Sequence, residues 1–410
     1  MFCHLHQYDL MIPGSIAKTE VRKGHLTGEK IVIINQAANY LTIGFANAFK
    51  KRFDKVGLIT GSVHAQGEQL DGRINVTYIN RWLERPAWKK SASYLVALAR
   101  MWLLLMTKYR GYEVFFVSVP PMGYLLNLVL PHRFSMVIWD VYPDVLKIAG
   151  TPETHPVFRI WSALNRRSFR KAWRVFTISE PMADVLSKYI ERDRLIVHPI
   201  WSIFQENTRI PDDINPFVAA HGLAEKFVVQ YSGNIGVTHN VEVLIDIAER
   251  LKDNEGILFE VIGRGPRQPA IERLIKERKL GNVQMLPFQS DEMFPYSLSA
   301  ADLGVVILHE SVGRGSVPSK VYNLMSYGIP ALYIAAADSE LARYADRFGH
   351  ARCFAAGNLD DTAEFIHHLA HDSTMRREMR RNAEKASKNF RRSNADRFVD
   401  SYFAPDGHLA

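Results

Sequence analysis

Short runs of Val, Ile, Leu and Phe recur along the chain, and most are followed by a stretch with helical spacing of apolar residues. Ile31–Asn35, Val56–Thr60, Asn75–Ile79, Val114–Val119, Met136–Trp139 and Val175–Ser179 read as a first set of strands, with a helix through Gly44–Lys51. Continuous apolar runs, unlike alternating ones, predict a parallel sheet buried on both faces. A second set holds Phe227–Ser232, Leu258–Ile262, Val283–Leu286, Leu303–Leu308 and Ala331–Ile334, with helical patterns over Val241–Leu251, 269–279 and Ser319–Tyr327. Polar, Pro-rich His198–Pro216 lies between the sets and reads as a linker, while Ser373–Ser401 reads as one long helical stretch rich in Arg and Ala. This alternation predicts an α/β chain with two doubly wound, Rossmann-like domains.

The 410 residues suit two domains, and the charged fraction of 23% excludes a disordered chain. With only Cys3 and Cys353, a disulfide scaffold and a Cys-rich zinc site are excluded, and a reducing compartment is expected. The first 30 residues lack the unbroken apolar core of a signal peptide. The most apolar helical stretch, Tyr94–Met106, is too short to span a bilayer and carries Arg100 at its centre.

Charge is unevenly shared. The first 200 residues carry 27 Lys and Arg against 15 Asp and Glu, whereas the rest is mildly acidic. Between 81 and 110, Lys89, Lys90, Arg100 and four further cations interleave with Trp82, Trp88 and Trp102 against the single acid Glu84. A second basic run lies over Arg159–Arg174. Trp beside Lys and Arg fits an anionic membrane surface, and no nucleic-acid-binding motif accompanies the charge. A core helix with solvated basic flanks is the alternative.

Three loops of the second half follow strand ends, where open α/β sheets bind ligands. The first is Gly233-Asn234-Ile235-Gly236, with a helix starting near His239. The second is Gly263-Arg264-Gly265-Pro266. Either could be a plain tight turn or a loop pressed against a nucleotide. The third, Arg314-Gly315-Ser316-Val317-Pro318-Ser319-Lys320, runs into a helix; Gly315 permits close approach, Ser316, Ser319 and Lys320 supply donors, and the helix start favours an anion. Together they predict a phosphate cradle. The spacing is not that of a P-loop, and no metal-binding or nucleophile-elbow motif is present, so no metal and no cofactor are expected.

The ordered segments YSGNIGVTHNVEVLIDIAE, FEVIGRGPRQPAIERLI, LGNVQMLPFQSDEMFPYSLSAADLGVVIL and SVPSKVYNLMSYGIPAL resemble the donor domain of retaining GT-B glycosyltransferases of family 4, in the bacterial branch that builds exopolysaccharide and O-antigen sugars on lipid carriers. The resemblance covers about residues 225–400. It implies an N-terminal extension at 1–30, an acceptor domain at 31–200, a linker at 201–216, a donor domain at 217–388 and a C-terminal helix at 389–410 crossing back to the first domain, the two domains facing a central cleft. It implies transfer of a sugar, with retention, from a nucleotide-diphosphate sugar to a polyprenyl-diphosphate-linked or saccharide acceptor, by an enzyme peripheral on the cytoplasmic face of the plasma membrane.

Two departures stand out. Where many members have Arg and Lys in the first donor loop, this chain has Asn234 and His239. Where many have a Glu-x7-Glu pair, it has Asn323 and, on or near the first position, Gly315. Asn323 then falls where ribose hydroxyls are held, and Lys320 with Arg314 where the diphosphate charge is balanced. Asp140 and Asp144, in a WDVYPD segment similar to that branch, are the expected acceptor-orienting acids. The missing groups leave open a silent partner subunit, and the fold leaves open a nucleotide-sugar epimerase.

Overall fold

The computed structural model describes residues 28–83, 87–206, 208–236, 239–310 and 314–405. The sequence reading of residues 1–27, Cys3 included, lies outside them. Seven parallel strands form the first sheet: β1 (Gly28–Ile34), β2 (Phe53–Thr60), β3 (Asn75–Tyr78), β4 (Glu113–Val117), β5 (Phe134–Ile138), β6 (Arg174–Thr177) and β7 (Leu195–Val197), in the order β3-β2-β1-β4-β5-β6-β7. Six more form the second: β8 (Phe227–Asn234), β9 (Ile257–Arg264), β10 (Val283–Leu286), β11 (Leu303–Ile307), β12 (Ala331–Ile334) and β13 (Ala351–Phe354), in the order β10-β9-β8-β11-β12-β13. Helices cover both faces, so the strand interiors are fully buried: Ile31–Ile34 and Val114–Val117 have no exposed surface. The α/β class read from the sequence is what the chain adopts.

In each sheet the strand order reverses once, between β1 and β4 and between β8 and β11. Such reversal points open a crevice at the carboxyl ends of the strands. The three glycine-bearing loops all sit at that end of the second sheet.

Two strands escaped the sequence reading. β7 is only three residues long, and β13 is interrupted by Arg352 and Cys353, so neither has the apolar run that marked the others. The segment read as a polar linker is firmly packed at its start. Trp201 is buried, its ring 5.2 Å from that of Phe45 and its carbonyl held by the Tyr40 hydroxyl at 3.1 Å. The long C-terminal helix is really two, Ser373–Ser387 and Asn394–Phe403. The break places Phe390 inward, where its carbonyl accepts from Ser202 N at 3.1 Å.

The second of these helices lies on the first sheet's layer, against the helix Tyr40–Lys50. Phe398 meets Phe45 at 4.9 Å and Tyr402 meets Phe49 at 5.3 Å. Lys51 pairs with Asp396 at 2.7 Å. The chain thus leaves the first unit near residue 200 and returns at 394. Asn394 Nδ2 donates to Pro199 O at 3.2 Å, so the two crossing segments are tied side by side.

Candidate functional site

β8 and β9 stay paired to their last residues, Gly233 opposite Gly263 and Asn234 opposite Arg264. Gly233 (φ 152°) and Gly263 (φ 153°) have positive φ angles that side chains rarely tolerate. A Cβ on Gly263 would lie 1.9 Å from the Gly233 carbonyl oxygen, and one on Gly265 would lie 2.2 Å from that of Ile235. The glycines of the second loop are therefore demanded by the first loop's backbone. Gly233 differs, because a Cβ there would sit 2.7 Å from Lys320 Nζ.

Lys320 opens the seven-residue helix Lys320–Ser326, one residue later than the sequence pattern suggests. Its ammonium stands 4.1 Å from the centroid of the Tyr231 ring. Among the described residues that buried nitrogen has no hydrogen-bond partner. Burial pushes the Lys320 pKa down to about 7. His239 is also driven down, to about 4, first by burial and then by the nearby Lys320 charge. Asn234 folds over the same turn: a Cβ on Gly236 would lie 2.9 Å from its Nδ2 and 3.6 Å from His239 Nδ1. Gly233, Asn234, Gly236, His239 and Lys320 are thus gathered into one corner. Loop positions 237–238 and 311–313 lie outside the described residues.

The other predicted residues divide. Arg264 projects its guanidinium 5.3 Å from the ring centroid of Phe288, which is 59% exposed just after β10. Val317 is buried in the core, and Ser316 and Pro318 are partly covered. Ser319 is exposed and caps no backbone amide with its side chain. Asn323 turns toward the interdomain segment, where its Oδ1 accepts from Ser202 Oγ at 2.9 Å. Arg314, expected to help balance the diphosphate charge, is ion-paired within the protein. It lies 3.4 Å from both Asp184, on the first unit, and Asp338, clasping the loop across the crevice.

That crevice encloses a cavity of about 210 Å³ whose charged lining is Asp144, Lys147, Asp184 and Lys188 from one unit and Glu310 and Arg314 from the other. Asp144 is already saturated. Lys188 donates to it at 2.9 Å, Tyr189 at 2.6 Å, and Lys147 pairs at 3.1 Å. Burial raises its pKa, but these hydrogen bonds and charges outweigh that and hold it below the usual carboxylate range. Asp140 remains exposed at the end of β5. Desolvation among the surrounding walls pushes its carboxyl upward, and its charge is felt by Tyr94 and Tyr142.

Asp184, Lys188, Tyr231, Phe288 and Glu310 were missed by the sequence reading. Glu310 had a findable signal, since it lies in the loop just beyond the end of β11. Asp184 and Arg314 meet over 130 residues of chain, which no local pattern encodes.

Comparison with known proteins follows the same division. Residues 214–386 match the family model described as glycosyl transferases group 1. The chain is 29% identical over 206 residues to the putative colanic acid biosynthesis glycosyl transferase WcaI of Escherichia coli K12, covering 50% of each. It is 25% identical over 230 residues to the probable glycosyltransferase WbjE of Pseudomonas aeruginosa, covering 55% of this chain and 56% of that one. The chain spans about half the length of the curated relatives it matches. Among solved structures, HepE of Anabaena in complex with UDP superposes with a TM-score of 0.67 at 16% identity, over 91% of this chain and 98% of that one. WaaG, a glycosyltransferase involved in lipopolysaccharide biosynthesis, gives a TM-score of 0.68 at 14% identity, over 92% of this chain and 100% of that one. The whole chain therefore has the two-domain GT-B fold, and its residues 214–386 are similar to the glycosyl transferases group 1 family.

Proposed function

We propose that this chain is a retaining glycosyltransferase of bacterial surface polysaccharide assembly, moving a sugar from a nucleotide-diphosphate sugar to a polyprenyl-diphosphate-linked or saccharide acceptor. The observation that carries this reading is Lys320: a buried ammonium without a hydrogen-bonding anion among the described residues, directed at a glycine whose missing side chain leaves it room. An uncompensated buried charge is costly, and a diphosphate seated at the Gly233 loop would compensate it. The relatives WcaI and WbjE and the UDP complex of HepE support the same direction.

In this reading the anomeric C–O bond to the diphosphate breaks, and the electron pair goes to the leaving oxygen. Lys320 stabilises that growing charge, a stronger interaction in the transition state than before it. The acceptor hydroxyl adds to the anomeric carbon from the same face, and its proton passes to the departing diphosphate. The exposed Arg264–Phe288 pair offers a flat face for the nucleobase to stack on. Asp140, exposed just after β5, orients the acceptor in this reading, whereas Asp144 fixes Lys147 and Lys188. The charge balance needs no metal in this scheme. We place the enzyme on the cytoplasmic side of the plasma membrane, where nucleotide sugars and lipid-linked acceptors meet.

Calorimetric titration with UDP- and GDP-sugars, followed by transfer to polyprenyl-diphosphate-linked acceptors, tests the proposal. Lys320→Ala should weaken donor binding by about 30- to 100-fold. Unchanged donor affinity in that variant removes the cradle. Donor binding without transfer from any nucleotide sugar would favour the silent-subunit reading that Asn234, His239 and Asn323 leave open.

A further inference from the structure

The loops that follow β2 and β3 in the first unit enclose a second cavity, of about 570 Å³. It is larger than the 210 Å³ of the crevice and lies within the range of small-molecule sites, about 300–1,000 Å³. The loop after β2 supplies Ser62, Val63 and His64, and the end of β3 with the residues beyond it supplies Tyr78, Arg81 and Trp82.

A tight framework holds those walls. Gly61 N donates to Gln36 O at 2.9 Å, and His64 N donates to Ala38 O at 2.9 Å. A Cβ on Gly61 would lie 2.4 Å from Asn80 O and 2.9 Å from Arg81 Cα, so the two loops meet backbone to backbone. Ser93, on the helix Ala87–Met106, donates through Oγ to Arg81 O at 2.8 Å and accepts from Gln36 Nε2 at 3.1 Å. Gln36 is fully buried, and its backbone N donates to Val119 O, just after β4, at 2.9 Å. That one residue ties the pocket wall to the point where the strand order reverses. Walls fixed in this way cost little to organise around a ligand.

The lining combines aromatic rings with positive charge. Tyr78 is 66% exposed and Trp82 is half-buried, so aromatic surface stands open at the cavity. Arg81 and His64 are exposed beside it, and no Asp or Glu is among the described residues that line it. Lys90 Nζ lies 5.6 Å from the centre of the Trp82 ring and adds a further positive charge nearby. Pyranose rings present C–H faces that pack on aromatic rings, and a guanidinium pairs with a carboxylate through two parallel hydrogen bonds.

We infer that this pocket receives a carboxylate-bearing pyranose, its ring packed on Tyr78 and Trp82 and its carboxylate paired with Arg81, with His64 as a further donor. Resting on the proposed function, that pyranose is a unit of the acceptor glycan, and the pocket selects acidic saccharides over neutral ones. Tyr94 links the pocket to the acid assigned to the acceptor: its hydroxyl lies beside Trp82 and feels the charge of Asp140. Two other occupants fit less well. The diphosphate of a lipid carrier brings more negative charge than the single guanidinium of the lining balances. A neutral sugar leaves that guanidinium without a partner in the site.

Saturation-transfer NMR titrations of the full chain with methyl glucuronide, methyl glucoside, inorganic pyrophosphate and UMP test the inference. The glucuronide should bind about tenfold or more tightly than the glucoside. Arg81→Gln should remove that preference while the loop keeps its shape, because Ser93 holds the backbone carbonyl of Arg81 and not its side chain. Tyr78→Ser, at an exposed ring, should weaken both sugars by about three- to tenfold. Absence of glucuronide binding, equal binding of the two sugars, or a preference that Arg81→Gln leaves intact overturns the proposal. Tighter binding of pyrophosphate or UMP that Arg81→Gln abolishes gives the pocket to another anion and overturns it as well. Calorimetry with UDP- and GDP-sugars separates this inference from the proposed function. Arg81→Gln should leave donor affinity unchanged, whereas a wild type that binds no donor and still prefers the glucuronide ends the proposed function and leaves the pocket standing.

Discussion

Lys320 Nζ stands 4.1 Å from the centre of the Tyr231 ring, and the Cβ that Gly233 lacks would come within 2.7 Å of the same nitrogen. The ammonium is thus held by a ring face on one side and kept clear by a glycine on the other, with its hydrogen-bonding capacity unspent. Because burial lowers its pKa to about 7, Lys320 is largely deprotonated at pH 8 before a donor binds. A bound diphosphate stabilises the charged form and raises that pKa. Donor binding at pH 8 should therefore take up a proton, seen as an enthalpy that depends on the ionisation heat of the buffer. Lys320→Met should abolish the uptake; an unchanged buffer dependence would assign the proton elsewhere.

Gly263→Ala should destabilise the second unit by about 3 kcal/mol or more, because the added carbon meets the Gly233 carbonyl and the φ of 153° resists a side chain. Gly281→Ala is the control, since nothing lies within 4 Å of the Cβ it would add. Thermal unfolding of the two variants should differ clearly, and equal melting temperatures would refute the account of the paired loop ends.

Glu260 is fully buried in β9, where Gln230 donates to it at 3.0 Å. Burial pushes its pKa up to about 7, the Gln230 hydrogen bond opposing only in part. Between about pH 4.5 and 7 the folded chain keeps a proton that the unfolded chain has lost. Its contribution to stability therefore falls as pH rises through that window, by up to about 3 kcal/mol. Glu260→Gln should flatten this slope relative to wild type in denaturant titrations at several pH values.

Asp140 and Asp144 should part company on mutation. Asp144→Asn loosens Lys147, Lys188 and Tyr189 and should lower stability by about 1–2 kcal/mol. Asp140→Asn removes a carboxyl whose charged form desolvation disfavours, so it should not lower stability or donor affinity, and it should lower the transfer rate. Equal kinetic effects of the two would undo the assignment of Asp140 as the acceptor-side acid.

Much of this architecture was readable because parallel strands buried on both faces announce themselves as unbroken apolar runs; Ile31–Ile34 and Val114–Val117 are such runs. β7 and β13 were hidden by brevity and by Arg352 and Cys353. Trp201 was misread with the polar stretch around it, because one large buried ring leaves no periodic trace. At the site, the glycines and Lys320 were legible from spacing. The partners of Arg314, Asp144 and Asn323 were not, since each ion pair or hydrogen bond joins elements far apart in sequence. Hence three residues expected to touch substrate are engaged with the protein itself.

The helix Asn394–Phe403 packs on a unit whose other parts precede residue 200. During synthesis the aromatic surface formed by Phe45 and Phe49 must therefore wait, uncovered, while nearly 200 intervening residues emerge and fold. Shortening the chain from its far end would thus injure the unit that was made earliest.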